Sequence, residues 1–234
     1  MKRVWKRING KVKIAVLICC TLIGGYGILK APASDQSEME QELKNREQEL
    51  MQKESQTTAP NPSTSPETDM QKEETISVIA DSVFLGASSS FQKLQPNAVI
   101  DAKVSRQVRH GLDVAKKLNK KGKLGNTIIL SLGTNSPFNP VTGQELIDYL
   151  GTDRTIYWVN AYGKNLEFQE DVNKTIKDLA DKNDNVHLIS WAKEAIKHPG
   201  WFYQDGTHLN TKGQDGFAKF IWREINTGIF SLHS

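Results

Sequence analysis

From residue 76 onward, short apolar runs rich in β-branched residues alternate with longer stretches whose apolar residues recur every three or four positions. The pattern predicts strands over 76–80, 98–101, 126–132, 154–160 and 186–190. It predicts helices over 84–93, 106–120, 143–150, 167–183 and 211–226. Continuous runs such as Ile128-Ile129-Leu130 read as strands buried on both faces. Strands and helices in alternation predict an α/β domain, a parallel sheet covered by helices on both sides. In such folds the ligand crevice lies beyond the carboxyl ends of the strands.

The first 75 residues follow other patterns. Six basic residues from Lys2 to Lys13 precede an uncharged apolar stretch, residues 14–29. As a helix these sixteen residues span about 24 Å, short of a hydrocarbon core of ~30 Å, and Lys13 and Lys30 can snorkel to make up the difference. The expected organisation is a cytoplasmic basic tail at 1–13, one transmembrane anchor at 14–30, an extracellular stalk and linker at 31–75, and a folded domain at 76–234. The basic flank keeps the N-terminus cytoplasmic and places the domain outside a cell membrane crossed once. A cleaved signal peptide competes, because Ala31-Pro32-Ala33 resembles a small-residue cleavage site. The central Pro and the preceding Lys30 favour the anchor. Residues 34–54, rich in Glu, Gln and Lys, read as a short solvated helix. Residues 55–75, with three prolines and many Ser, Thr and acidic groups, read as an extended tether.

The net charge of +3 divides unevenly: +7 over residues 1–30, −7 over 31–75 and +3 over 76–234. A near-neutral folded part gives no reason to expect a nucleic-acid partner. Both cysteines, Cys19 and Cys20, lie in the apolar run, so the domain holds neither disulfides nor thiolate metal sites. An exported protein without disulfides fits a Gram-positive bacterium. No histidine pair has ligand spacing, and no metal or cofactor is implied.

Three distant segments carry candidate chemistry. Ser82 follows the apolar run 76–79, Asn135 follows the run 128–132, and Asp205-Gly206-Thr207-His208 lies near the C-terminus beside Trp201-Phe202-Tyr203. A serine hydroxyl needs a base to attack an acyl carbon; His208 is that candidate, with Asp205 to hold its imidazole. The Asn135 amide, with the backbone N–H groups of Ser82 and Ser105, could stabilise the oxyanion. Each feature has a plain alternative. A serine opening a helix is commonly its N-cap. Gly133-Thr134-Asn135-Ser136-Pro137 is turn chemistry, and the three aromatics can be packing. Three segments on the same side of one sheet outweigh any one of them alone.

Over roughly residues 76–226 the chain resembles the SGNH (GDSL-like) hydrolase superfamily. More narrowly it resembles the extracellular C-terminal domain of Gram-positive peptidoglycan O-acetyltransferases. The stretches that carry this are Ala80-Asp81-Ser82-Val83, Lys103-Val104-Ser105-Arg106-Gln107, Leu132-Gly133-Thr134-Asn135 and Asp205-Gly206-Thr207-His208-Leu209, with shorter ones around Asn97, Asp101, His187 and His198. The resemblance implies a three-layer α/β/α sandwich of SGNH or flavodoxin-like type with a central parallel sheet. It implies a Ser82, His208, Asp205 triad with oxyanion donors at Ser82, Ser105 and Asn135. It also implies acetyl transfer through an acyl-serine to a cell-wall sugar hydroxyl. An esterase acting on acylated wall glycan, or an inactive wall-binding module, are the other readings. The family's usual glycines are replaced at Ala80 and Ser105. Those transferases usually carry a many-helix membrane domain, so a single span here implies a separate membrane protein that supplies the acyl group.

Overall fold

A computed structural model describes residues 33–56 and 75–232. The chain divides into two units, residues 1–38 and 39–234; of the first, only 33–38, the opening of helix α1 (Ala33–Gln56), are described. The expected anchor at 14–30, its cleavage alternative and most of the tether lie outside the described residues. Among the described residues no helix is long and apolar enough to cross a membrane.

The second unit is built on β1 (Ile76–Ala80), β2 (Val99–Ala102), β3 (Thr127–Ser131), β4 (Thr155–Val159) and β5 (Val186–Ile189). All neighbours pair in parallel, in the order β2-β1-β3-β4-β5. The connecting helices are α2 (Ser82–Leu94), α3 (Gly111–Lys120), α4 (Pro140–Leu150), α5 (Gln169–Lys182), α6 (Trp191–Ala195) and α7 (Thr211–Leu232). Alternation along each strand divides the core in two. On one face Val78, Ala80, Ile129 and Tyr157 pack with Phe84 and Phe91 of α2 and Phe217 and Ile221 of α7. On the other, Ile79, Ile128, Leu130 and Trp158 pack with Leu118 of α3, Ile147 of α4 and Ile176 of α5. The result is the three-layer α/β/α sandwich with a central parallel sheet. The order reverses beside β1, so the crevice expected of such a sheet opens at the ends of β1 and β3.

Besides the unexpected short helix α6 and shifted ends of α4 and α7, two elements differ from the sequence expectation in ways that bear on the site. The helix expected over 106–120 begins as an α-helix only at Gly111, after a 3-10 turn over Val108–His110, because Ser105 turns the chain with a φ of 58°. The helix at 34–54 is present but not solvated on all sides: Met39 and Leu43 are 9% and 7% exposed and join the core against α2 and α7. Met39, Leu43, Arg46 and Leu50 follow helical spacing down one face, so a sparse apolar stripe suffices once a partner surface exists.

Candidate active site

β1 delivers Asp81 and Ser82 to the crevice. Asp81 extends the sheet, its N–H donating to the Ser131 carbonyl at 2.9 Å. Its carboxylate caps α2 by accepting from the Val83 N–H at 3.0 Å. The capping task that the sequence left open for Ser82 therefore falls to Asp81. Ser82 becomes the first residue of a thirteen-residue helix, where unpaired N–H groups and the positive end of the dipole gather.

Ser82 is a residue only 4% exposed, and its hydroxyl lies 2.9 Å from Nε2 of His208. Nδ1 of the same ring lies 2.5 Å from Asp205 Oδ2. Asp205 Oδ1 accepts from the Thr207 and His208 N–H groups, both at 2.9 Å. Gly206 sits between them with a φ of 66°, a turn that glycine takes without a Cβ penalty. Partial burial pushes the Asp205 carboxyl up, but the bonds from the His208 ring and from those two N–H groups outweigh it, holding the carboxyl below its ordinary value. The three residues thus form one hydrogen-bonded chain from hydroxyl to imidazole to carboxylate. His208 and Asp205 remain open to solvent, 23% and 37% exposed.

Asn135, another residue singled out in the sequence, is linked to the end of β1 through Thr134 and Asp81. The Asn135 amide donates to the Arg106 carbonyl and to Thr134 Oγ1, both at 3.2 Å. That places it one residue from Ser105, the only non-glycine among the described residues with a positive φ. Ala80, fully buried at the end of β1, has no such strain. Trp201 stacks on His198 with centroids 3.8 Å apart, and Phe202 packs on Tyr162 at 5.1 Å, so both are engaged in packing.

Sequence reasoning missed three residues that arrange the site. Thr134 donates its hydroxyl to Asp81 Oδ2 at 2.7 Å and accepts from Asn135, joining the β1 and β3 ends. Burial pushes the Asp81 carboxyl above its ordinary value, although Thr134 and the Val83 N–H act the other way. Arg106 is the third: buried, it donates to the Ala80 carbonyl at 3.0 Å, to the Asp101 carbonyl, and to Asp101 Oδ1 at 2.6 Å. It pins the Ser105 loop to the ends of β1 and β2. A charged residue beside a polar loop gives no periodicity signal, so only a buried position reveals it. A separate groove of about 870 Å³ runs along β2 between α1 and α3, lined by Leu50, Met51, Val99, Lys103 and Lys117; it does not include the Ser82–His208 pair.

A solved structure of the C-terminal catalytic domain of Streptococcus pneumoniae peptidoglycan O-acetyltransferase A, with a methylsulfonyl adduct, aligns at a TM-score of 0.58. The alignment covers 65% of this chain and 92% of that one at 23% identity. A member of the lipolytic G-D-S-L family from Veillonella parvula aligns at 0.53, over 64% and 96%, at 15% identity. The chain shares the fold of these two structures. In sequence, the chain is similar to the O-acetyltransferase OatA of Staphylococcus aureus, with 34% identity over 151 residues. That match takes in 64% of this chain but only 25% of OatA. No family model matches the chain.

Proposed function

We propose that this protein is a membrane-anchored, extracytoplasmic serine O-acyltransferase that moves an acetyl group to a hydroxyl of a cell-wall sugar. The observation that carries the reading is the continuous Ser82–His208–Asp205 hydrogen-bond chain at the strand ends of an SGNH fold, in a chain similar to OatA. Ser82 Oγ attacks the acyl carbon while His208 Nε2 takes its proton. The N–H groups of Ser82 and Ser105 and the Asn135 amide receive the negative oxygen. The leaving group takes the proton from His208, and the acyl group stays on Ser82 as an ester. A sugar hydroxyl, deprotonated by His208, then attacks that ester and regenerates Ser82. Asp205, held ionised by its bonds, stabilises the imidazolium in both steps. As part of this proposal, a separate membrane protein supplies the acyl group.

The solvent exposure of His208 and Asp205 favours a second reading, in which water replaces the sugar and the protein is an esterase on acylated wall glycan. One experiment separates them. The full chain should release the alcohol from an activated aryl acetate, and Ser82→Ala should lower this at least about 10³-fold. With oligosaccharides of N-acetylglucosamine and N-acetylmuramic acid present, acetylated sugar in the mass spectrum supports transfer. Acetate alone supports hydrolysis. Equal inertness of wild type and Ser82→Ala defeats both.

A further inference from the structure

Helix α1 lies outside the SGNH-like segment, yet one of its side chains holds the loop that presents Asp205 and His208. Glu42 Oε2 accepts from the Tyr203 hydroxyl at 2.9 Å, and Oε1 accepts from the Gln214 amide at 2.9 Å. The same Gln214 nitrogen donates to the Leu209 carbonyl at 3.1 Å. The Tyr203 N–H donates to the His208 carbonyl at 2.8 Å. One carboxylate therefore grips both ends of the segment 203–209, whose middle residues are the site's acid and imidazole. The grip itself is anchored. Met39 and Leu43, on either side of Glu42, are buried in the core. Arg46, one turn on, lies 3.9 Å from Glu42 Oε1 and donates to Ser89 Oγ of α2 at 2.6 Å. Gln214 is itself buried.

We propose that Glu42 is a positioning residue: acting through Tyr203 and Gln214, it fixes the loop that aims the His208 ring at Ser82. The catalytic part of this inference rests on the acyl-transfer reading above; the mechanical part does not. An imidazole that must take a proton from one atom and give it to another loses rate quickly when its loop wanders by an ångström. The working unit of the protein then includes the helix that leads from the N-terminal segment, and release of that helix loosens the site.

The test uses the full chain, with Glu42→Ala, Glu42→Gln, Tyr203→Phe and the double variant Glu42→Ala/Tyr203→Phe. Lys53→Ala, on the same helix but bonded to Gln92, serves as control. Two quantities are measured well below the unfolding temperature: amide hydrogen exchange at Thr207 and His208, and kcat and KM on an aryl acetate. Glu42→Ala should speed exchange at those two amides by about tenfold with the β3 amides unchanged, and lower kcat by about tenfold with KM within about twofold. The double variant should be no worse than Glu42→Ala, since both remove the same bond. Glu42→Gln keeps an acceptor for Gln214 and should restore most of the protection. If Glu42→Ala and Tyr203→Phe both leave exchange and kcat within about twofold of wild type, the proposal is overturned. The same holds if only the melting temperature falls. Should Glu42→Ala fail to fold, Tyr203→Phe, which removes one oxygen, decides. A wild type inert to esters would sink the acyl-transfer reading, while the exchange data would still decide whether Glu42 holds the loop.

Discussion

Ser105 stands where glycine is usual in the SGNH pattern, and its φ of 58° is a conformation that costs an L-residue about 1–2 kcal/mol. Arg106, bonded to Ala80 and Asp101, and Asn135, bonded to the Arg106 carbonyl, together hold the loop in place against that cost. Ser105→Gly removes the steric penalty but frees the unfolded chain by about 0.4–1 kcal/mol, so a net gain below about 1 kcal/mol is expected. Ser105→Val adds a β-branched side chain to the same backbone and should cost a further ~1–3 kcal/mol. Urea unfolding of the two variants checks this; a valine variant as stable as wild type would show that the loop carries no strain. At this scale the sequence was readable where chemistry restricts residue type. Ser82, Asp205 and His208 stand out because few other side chains can do their work. The Asp81–Thr134–Asn135 link did not stand out, because Thr and Asp are ordinary turn residues. Their bond spans 53 positions and exists only once β1 and β3 pair.

Where α7 begins, the close approach of two backbones decides which glycine can change. A Cβ on Gly213 would lie 2.0 Å from the Trp201 carbonyl oxygen, the acceptor for the Asn210 N–H at 3.0 Å. Gly213→Ala must therefore push the first turn of α7 away from the segment that leads into the 203–209 loop. Even after the helix-propensity gain of ~1 kcal/mol, a net loss of about 2 kcal/mol is expected. Gly86 in α2 is the contrast. A Cβ there meets Leu43 of α1 at 3.7 Å and Gln214 at 3.8 Å, ordinary contacts, so Gly86→Ala should gain up to ~1 kcal/mol. Chemical denaturation of both variants tests the pair, and the same sign of change in each would contradict the packing described here. The strands were legible to within two residues because a buried parallel sheet demands continuous apolar runs. Helix α6 escaped notice because five residues are too few to show a period. The docking of α1 escaped notice because Met39, Leu43 and Leu50 are too sparse among Glu, Gln and Lys to announce a buried face. The surface that buries Met39 and Leu43 is supplied by residues far along the chain.

For the whole molecule, two carboxylates at the site pull stability in opposite directions with pH. Burial pushes the Asp205 carboxyl up, but His208 and the two N–H groups together outweigh it and hold the carboxyl below its ordinary value. It adds stability above the unfolded pKa, and that contribution is lost as pH falls through the folded one. Asp81 is raised above 3.8 by burial, against the bonds from Thr134 and Val83. Its contribution is present below 3.8 and disappears as pH rises through the folded pKa, because the folded state then has to ionise a buried acid. Asp81→Asn removes that second effect and leaves Asp205 and its partners in place. Asn caps a helix about as well as Asp, so the pH-independent cost is the acceptor lost to the Thr134 hydroxyl; whatever constant that subtracts, the stability of the variant minus that of wild type should move steadily in the variant's favour from about pH 4 to pH 7. Thermal unfolding of both proteins across that range measures the difference directly. A flat difference, or one moving towards wild type, would mean that Thr134 and the α2 N-terminus stabilise the Asp81 carboxylate at least as much as burial opposes it. In the predicted case the protein keeps an acid beside Ser82, the proposed nucleophile, at a cost in stability, which the Asp81–Thr134–Asn135 link accounts for: the same variant should lower kcat on an aryl acetate while leaving the molecule folded.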